Sequence, residues 1–157
     1  MSTLFVDTIN EKTSGNGIAI PGHIVQVKNL FTNSYLTTTS STLVKAGVNV
    51  SITPKFSSSK VLVSISLNGV NRSAGEPRFA LYRDDSSLTD LGSSVGQHAS
   101  TNESGGRSYT YLDSPATTSS IEYQIWFSTT SGTIRINDYM NSNWGERSSI
   151  LLMEIAQ

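Results

Sequence analysis

At 157 residues the chain fits one domain, and a chain of this size buries roughly 68–70% of its unfolded surface without needing staples. Eleven basic against twelve acidic residues leave a net charge of −1, with no lysine- or arginine-rich stretch, so nucleic acid and anionic membranes are poor partners. Cysteine is absent, which excludes disulfides, thiolate catalysis and cysteine metal sites. Ser and Thr fill 44 positions and charged residues only 15%, a composition suited to an all-β protein with polar loops. The first residues have neither a basic n-region nor an apolar h-region, and no apolar run has membrane length. The reading is a chain made in the cytosol, with no signal peptide and no membrane insertion.

Residues 1–22 stand apart as a neck, and residues 23–157 as a head. In the neck, Leu4, Val6 and Ile9 precede the turn residues Gly15, Asn16 and Gly17, then Ile18 and Ile20 lead to Pro21 and Gly22. Two apolar runs this short cannot hold a core. The segment is either an irregular arm on its own domain or a neck in which several chains complete one another.

From His23 onward the apolar period is two. Residues 24–28 predict a first strand and 35–39 a second, and Val48, Val50 and Ile52 alternate in a third that Pro54 ends. Residues 60–67 place Val61, Val63, Ile65 and Leu67 on one face, closed by Asn68 and Gly69. Residues 77–83 alternate Phe79 and Leu81 against Ala80 and Tyr82. A polar stretch over 84–107, anchored only by Leu88, Leu91 and Val95, reads as a long loop. Strands return at 108–112, at 121–127 with Ile121, Tyr123, Ile125 and Phe127 inward, and at 133–137 with Ile134 and Ile136 on one side. Eight or nine strands and no helical period predict an antiparallel β-sandwich, a jelly roll in preference to an immunoglobulin-like arrangement.

The closing strand, residues 148–157, packs Ile150, Leu151, Leu152, Met153 and Ile155 into six positions, interrupted only by Glu154. Both of its faces therefore need cover. Either it is an inner strand of the sandwich, or it covers one face within its subunit and the other against identical subunits. In the second case Leu151, Met153 and Ile155, or the alternate set Ile150 and Leu152, lie at the interface.

Few residues suggest chemistry. Gly92, Ser94 and Gly96 match G-x-S-x-G, but no helix follows and the match is expected by chance in so Ser- and Gly-rich a chain. His23 and His98 are isolated, so no metal or cofactor is expected. Asp84, Asp85 and Asp90 lack the calcium-loop pattern and read as a solvated turn. The loop over 138–147 is the best polar site: Tyr139 and Trp144 offer flat apolar faces, and Asp138, Asn141, Asn143 and Arg147 directed hydrogen bonds, as sugars or peptide surfaces require. The alternative is that both rings fold back over the sandwich end.

Residues 4–9 (LFVDTI) with 13–22 (TSGNGIAIPG), 48–56 (VNVSITPKF) running into 58–63, 113–118 (DSPATT) and 148–156 (SSILLMEIA) resemble blocks of tail-fibre-type virion proteins of marine bacteriophages. The resemblance spans most of the chain except the two polar loops. It implies a homotrimer with intertwined N-terminal segments and jelly-roll heads, with Leu4, Val6, Ile9, Ile18, Ile20, Leu151, Met153 and Ile155 between subunits. Family members usually carry a long fibre before the head, whereas Met1 here stands almost directly before the neck, favouring a small docked module. The expected function is a non-enzymatic virion protein, a trimeric tail or fibre module that contributes to recognition of host-surface polysaccharide. The alternative is a capsid decoration or head-fibre protein without receptor binding. Its partners would be itself and other virion proteins of the tail, fibre or capsid.

Overall fold

The computed structural model describes residues 8–10, 15, 17–18, 20–92, 104–138 and 146–157. Among them are ten strands: β1 (Ile24–Thr32), β2 (Leu36–Thr38), β3 (Val44–Ile52), β4 (Lys60–Arg72), β5 (Pro77–Arg83), β6 (Ser86–Gly92), β7 (Gly105–Asp113), β8 (Ile121–Thr129), β9 (Ile134–Ile136) and β10 (Ser148–Ile155). One sheet runs β1-β10-β4-β9-β2, with β7 also pairing β4, and the other runs β3-β8-β5-β6. β2 and β9 are three-residue pieces. Without them the eight long strands pair antiparallel from the outside in: β1 with β10, β3 with β8, β4 with β7 and β5 with β6. β10 also pairs with β4, and β8 with β5. A long antiparallel ribbon rolled over itself in this way is a jelly roll.

The period-two pattern dictates which side chains meet between the sheets. Val61, Val63, Ile65 and Leu67 of β4 and Ile150 and Leu152 of β10 are at most 1% exposed. They face Phe79 and Leu81 of β5 and Ile121, Tyr123, Ile125 and Phe127 of β8. Each such side chain contributes roughly 1.5–3 kcal/mol by leaving water.

Two sequence expectations are corrected. The polar stretch expected as a loop from residue 84 begins with strand β6, at the edge of its sheet among the described residues, which turns Leu88 and Leu91 onto the core. Asn68 and Gly69 do not close β4. Its register with β7 shifts between Leu67 and Val70, and β4 then continues to Arg72, where it pairs with β9. The apparent turn is a bulge. Gly69 has φ 58°, and a Cβ there would lie 2.6 Å from the backbone N of Asp138, so only glycine fits.

A polar clasp joins the two sheets at one end. Asp113, closing β7, accepts on Oδ2 from the Tyr123 hydroxyl of β8 at 2.6 Å and from Arg83 Nη1 of β5 at 2.5 Å. Burial first, then the hydrogen bond to Asp113 and its charge, push the Tyr123 hydroxyl far above its ordinary value of 10.0. The native state therefore keeps a proton that the unfolded chain gives up near pH 10. This contribution is fully present below that pH and is lost as the pH rises above it. Tyr123→Phe is expected to flatten the alkaline fall in unfolding free energy by up to about 1.4 kcal/mol per pH unit, measured by urea titrations between pH 9 and 11.5. Equal slopes in both proteins would show that the phenol ionises freely in the native state.

Candidate functional site

The two outer faces of the sandwich differ in chemistry. On the six-stranded sheet, outward positions of four neighbouring strands fall into register: Val27 of β1 opposite Met153 of β10, Met153 opposite Leu62 of β4, and Leu62 opposite Leu112 of β7. This apolar row crosses the sheet. Val27 is 50% exposed and Leu112 48%, while Leu62 and Met153 are half-buried. The next row is Asn29, Leu151, Ser64 and Thr110, and the one after it Phe31, Ser149, Ser66 and Ser108. Toward the other end Ile155 lies between Ile24 and Lys60. Ile24 and Phe31 are exposed by more than half. Lys60 is the only charged residue in these rows, and no carboxylate stands in them.

The opposite outer face, on β3, β8, β5 and β6, is charged and hydrogen-bonded instead. It carries the ion pairs Lys45–Asp85 at 2.6 Å and Arg78–Asp90 at 3.4 Å. Asp84 accepts from the backbone N of Glu122, so the three aspartates considered for calcium go to three different partners.

The structure decides which of the two residue sets of the closing strand faces outward. Leu151, Met153 and Ile155 point outward into the apolar face, while Ile150 and Leu152 are wholly buried between the sheets. Glu154 shares the inward side and is fully buried. Sequence reasoning missed Val27, Phe31, Leu62 and Leu112, which belong to the same face. The signal was there in the apolar residues at positions opposite in parity to the core set.

Of the neck residues, Leu4 and Val6 lie outside the described residues. Ile9 and Ile18 are exposed, and Ile20 is half-buried with its carbonyl accepting from the His23 N. The backbone N of Gly22 donates to the carbonyl of Ala156, tying this end to the close of β10.

Of the polar loop, Tyr139, Asn141, Asn143 and Trp144 lie outside the described residues. Asp138 is completely buried, its carboxylate oxygens without a hydrogen-bond partner and Oδ2 3.8 Å from Arg135 Nε. Arg147 is exposed and lines a shallow recess of about 170 Å³ with Phe31, Thr32 and Asn33. The two ends of the loop thus face different environments. Among the described residues, no three His, Asp or Glu side chains come together as a metal site would require.

By fold the chain is a jelly roll with one apolar and one polar outer face. No family model and no curated sequence matches it. Solved structures with some likeness include particles of infectious bursal disease virus. The virus-derived T=1 particle gives a TM-score of 0.40 at 9% identity, over 84% of this chain and 36% of that one. The VP2 subviral particle gives 0.39 at 9% identity, over 84% and 37%. The T13 particle gives 0.41 at 9% identity, over 83% and 35%. The chain spans little more than a third of the length of these proteins, and its strand order defines the jelly roll without them.

Proposed function

We propose that the chain is a non-enzymatic virion structural protein, a module of a phage tail or fibre that assembles as a homotrimer and contributes to binding of the host surface. The observation that carries the reading is the apolar row Val27, Met153, Leu62 and Leu112 on an outer face. Contiguous apolar surface of this kind on a soluble domain marks a contact site. A second copy is the occupant its chemistry suits. In a symmetric assembly like surfaces are brought close together, and rows with a single lysine at their margin impose little charge repulsion. Leu151, Met153 and Ile155 lie in this interface, and the neck residues Leu4, Val6, Ile9, Ile18 and Ile20 extend it. Three copies on one axis would present three weak surface-binding sites together, and their avidity supplies the function. The loop over 138–147 is one such site, for host polysaccharide, with Tyr139, Asn141, Asn143, Trp144 and Arg147 as its binding side chains and Asp138 buried at its start.

Light scattering on the purified chain is expected to give three times the monomer mass. Leu112→Glu, which puts a charge at one end of the apolar row, is expected to shift the protein to monomer with its circular dichroism intact. A monomeric wild-type protein at micromolar concentration would overturn the trimer. Gold labelling of assembled particles that marks the capsid lattice would replace the tail module with a capsid decoration.

A further inference from the structure

The polar outer face carries a built recess of its own. β3 and β8 pair Val44 with Phe127 and Lys45 with Trp126, then lose register and resume with Asn49 opposite Gln124. Ala46, Gly47 and Val48 thus stand against Ile125 alone. Gly47 takes the positive φ of 81° at this bulge. The break in the ladder leaves a recess of about 160 Å³, lined by Lys45, Gly47 and Asn49 on one side and Glu122 and Gln124 on the other.

The polar groups of the recess are held in place by one another. Glu122 accepts from Asn49 Nδ2 on one carboxylate oxygen and from Gln124 Nε2 on the other. Gln124 Oε1 in turn accepts from Trp126 Nε1 at 3.0 Å. The Trp126 ring stacks on Tyr82 with centroids 4.3 Å apart, and Lys45 Nζ lies 5.9 Å from the Trp126 centroid. A side chain fixed this way loses little freedom when a ligand arrives. Capacity remains after the internal bonds: each Glu122 oxygen has a second lone pair, and the Lys45 ammonium has donors beyond the one given to Asp85.

We propose that this recess binds one neutral pyranose ring of a saccharide. The volume decides the size, because drug-sized ligands need pockets of roughly 300–1,000 Å³ and 160 Å³ suits a single ring. The charges decide the sign. Lys45 is already paired with Asp85, so the unpaired charge at the recess is the Glu122 carboxylate, which repels an acidic sugar. Vicinal ring hydroxyls donate to Glu122 and accept from Lys45 Nζ, a donor–acceptor pattern that a neutral sugar satisfies. The site lies on the face opposite the apolar rows and does not depend on self-association.

The test is a titration of isotope-labelled protein with glucose, galactose, N-acetylglucosamine and glucuronate, followed through backbone amide shifts. At least one neutral sugar is expected to bind with a Kd on the order of 1–10 mM, moving the amides of Asn49, Glu122 and Gln124. Glu122→Ala is expected to weaken that binding at least about tenfold and Glu122→Gln less, with both variants folded by circular dichroism at the titration temperature. No neutral sugar moving these amides, an undiminished affinity in Glu122→Ala, or tighter binding of glucuronate would each overturn the site. A trimer that binds no sugar overturns this proposal alone, and a monomer that binds overturns only the assembly.

Discussion

Leu152→Asp is expected to leave little or no folded protein at 25 °C, while Leu151→Asp, one residue away, gives a folded monomer. Leu152 is completely buried between the sheets, opposite Val63 of β4 across the strand pair. Removing a buried leucine side chain costs about 2–5 kcal/mol, and an unpaired carboxylate in its place adds several more. A domain of this size has about 5–15 kcal/mol of total stability, so the substitution removes most or all of it. Leu151 instead points outward between Asn29 and Ser64. A charge there stays in water, and the fold loses about 1 kcal/mol or less. What it disrupts is the apolar face, where two or three copies of the charge would meet. Circular dichroism read beside light scattering checks both halves. A folded Leu152→Asp would mean that the inner and outer sides of β10 have been exchanged, and a Leu151→Asp that remains a full-size oligomer would take the outer side of β10 out of the interface.

The same parity rule explains what could be read from the chain. Strands with alternating Val, Ile and Leu, such as β4 and β8, declared both their existence and their inward face, because burial on one side leaves a period of two. β6 did not, since an edge strand with only Leu88 and Leu91 turned inward looks like any polar loop. Asn68 and Gly69 carried the residues of a turn, yet a glycine inside a strand serves a bulge equally well. The recess was beyond sequence reasoning for a different reason. Lys45 and Asn49 lie more than seventy residues from Glu122 and Gln124 and meet only through the β3–β8 pairing. Its one local sign was Gly47, a glycine inside a strand whose inward–outward alternation otherwise runs unbroken. The closing strand left two alternatives open because Ile150 to Ile155 is apolar on both parities, and only the pairing with β1 and β4 decides which side is the core.

Glu154 is where that apolar strand breaks its own pattern, and its removal is expected to have the second large effect. The side chain is fully buried, and its carboxylate takes the place of a backbone partner for the loop between β3 and β4. Oε1 accepts from the backbone N of Lys55 at 2.8 Å and of Phe56 at 3.2 Å. Oε2 accepts from Gln26 Nε2 at 2.6 Å, and that same amide nitrogen lies 2.7 Å from the carbonyl of Thr53. One carboxylate thus holds β1, β10 and the 53–56 segment together. Glu154→Ala leaves the backbone N–H groups of Lys55 and Phe56 without this acceptor and empties a buried site, at an expected loss of about 3–5 kcal/mol in unfolding free energy. Glu154→Gln keeps an oxygen for the two backbone N–H groups and gives up only the bond from the Gln26 amide, whose nitrogen stays on the Thr53 carbonyl. It is expected to lose about 1–2 kcal/mol, the difference between a charged and a neutral acceptor. Urea denaturation of the three proteins at pH 7 checks the order. If Glu154→Ala and Glu154→Gln are equally destabilised, the carboxylate's charge dominates rather than its acceptor geometry. If neither is destabilised, the 53–56 segment is held by other contacts.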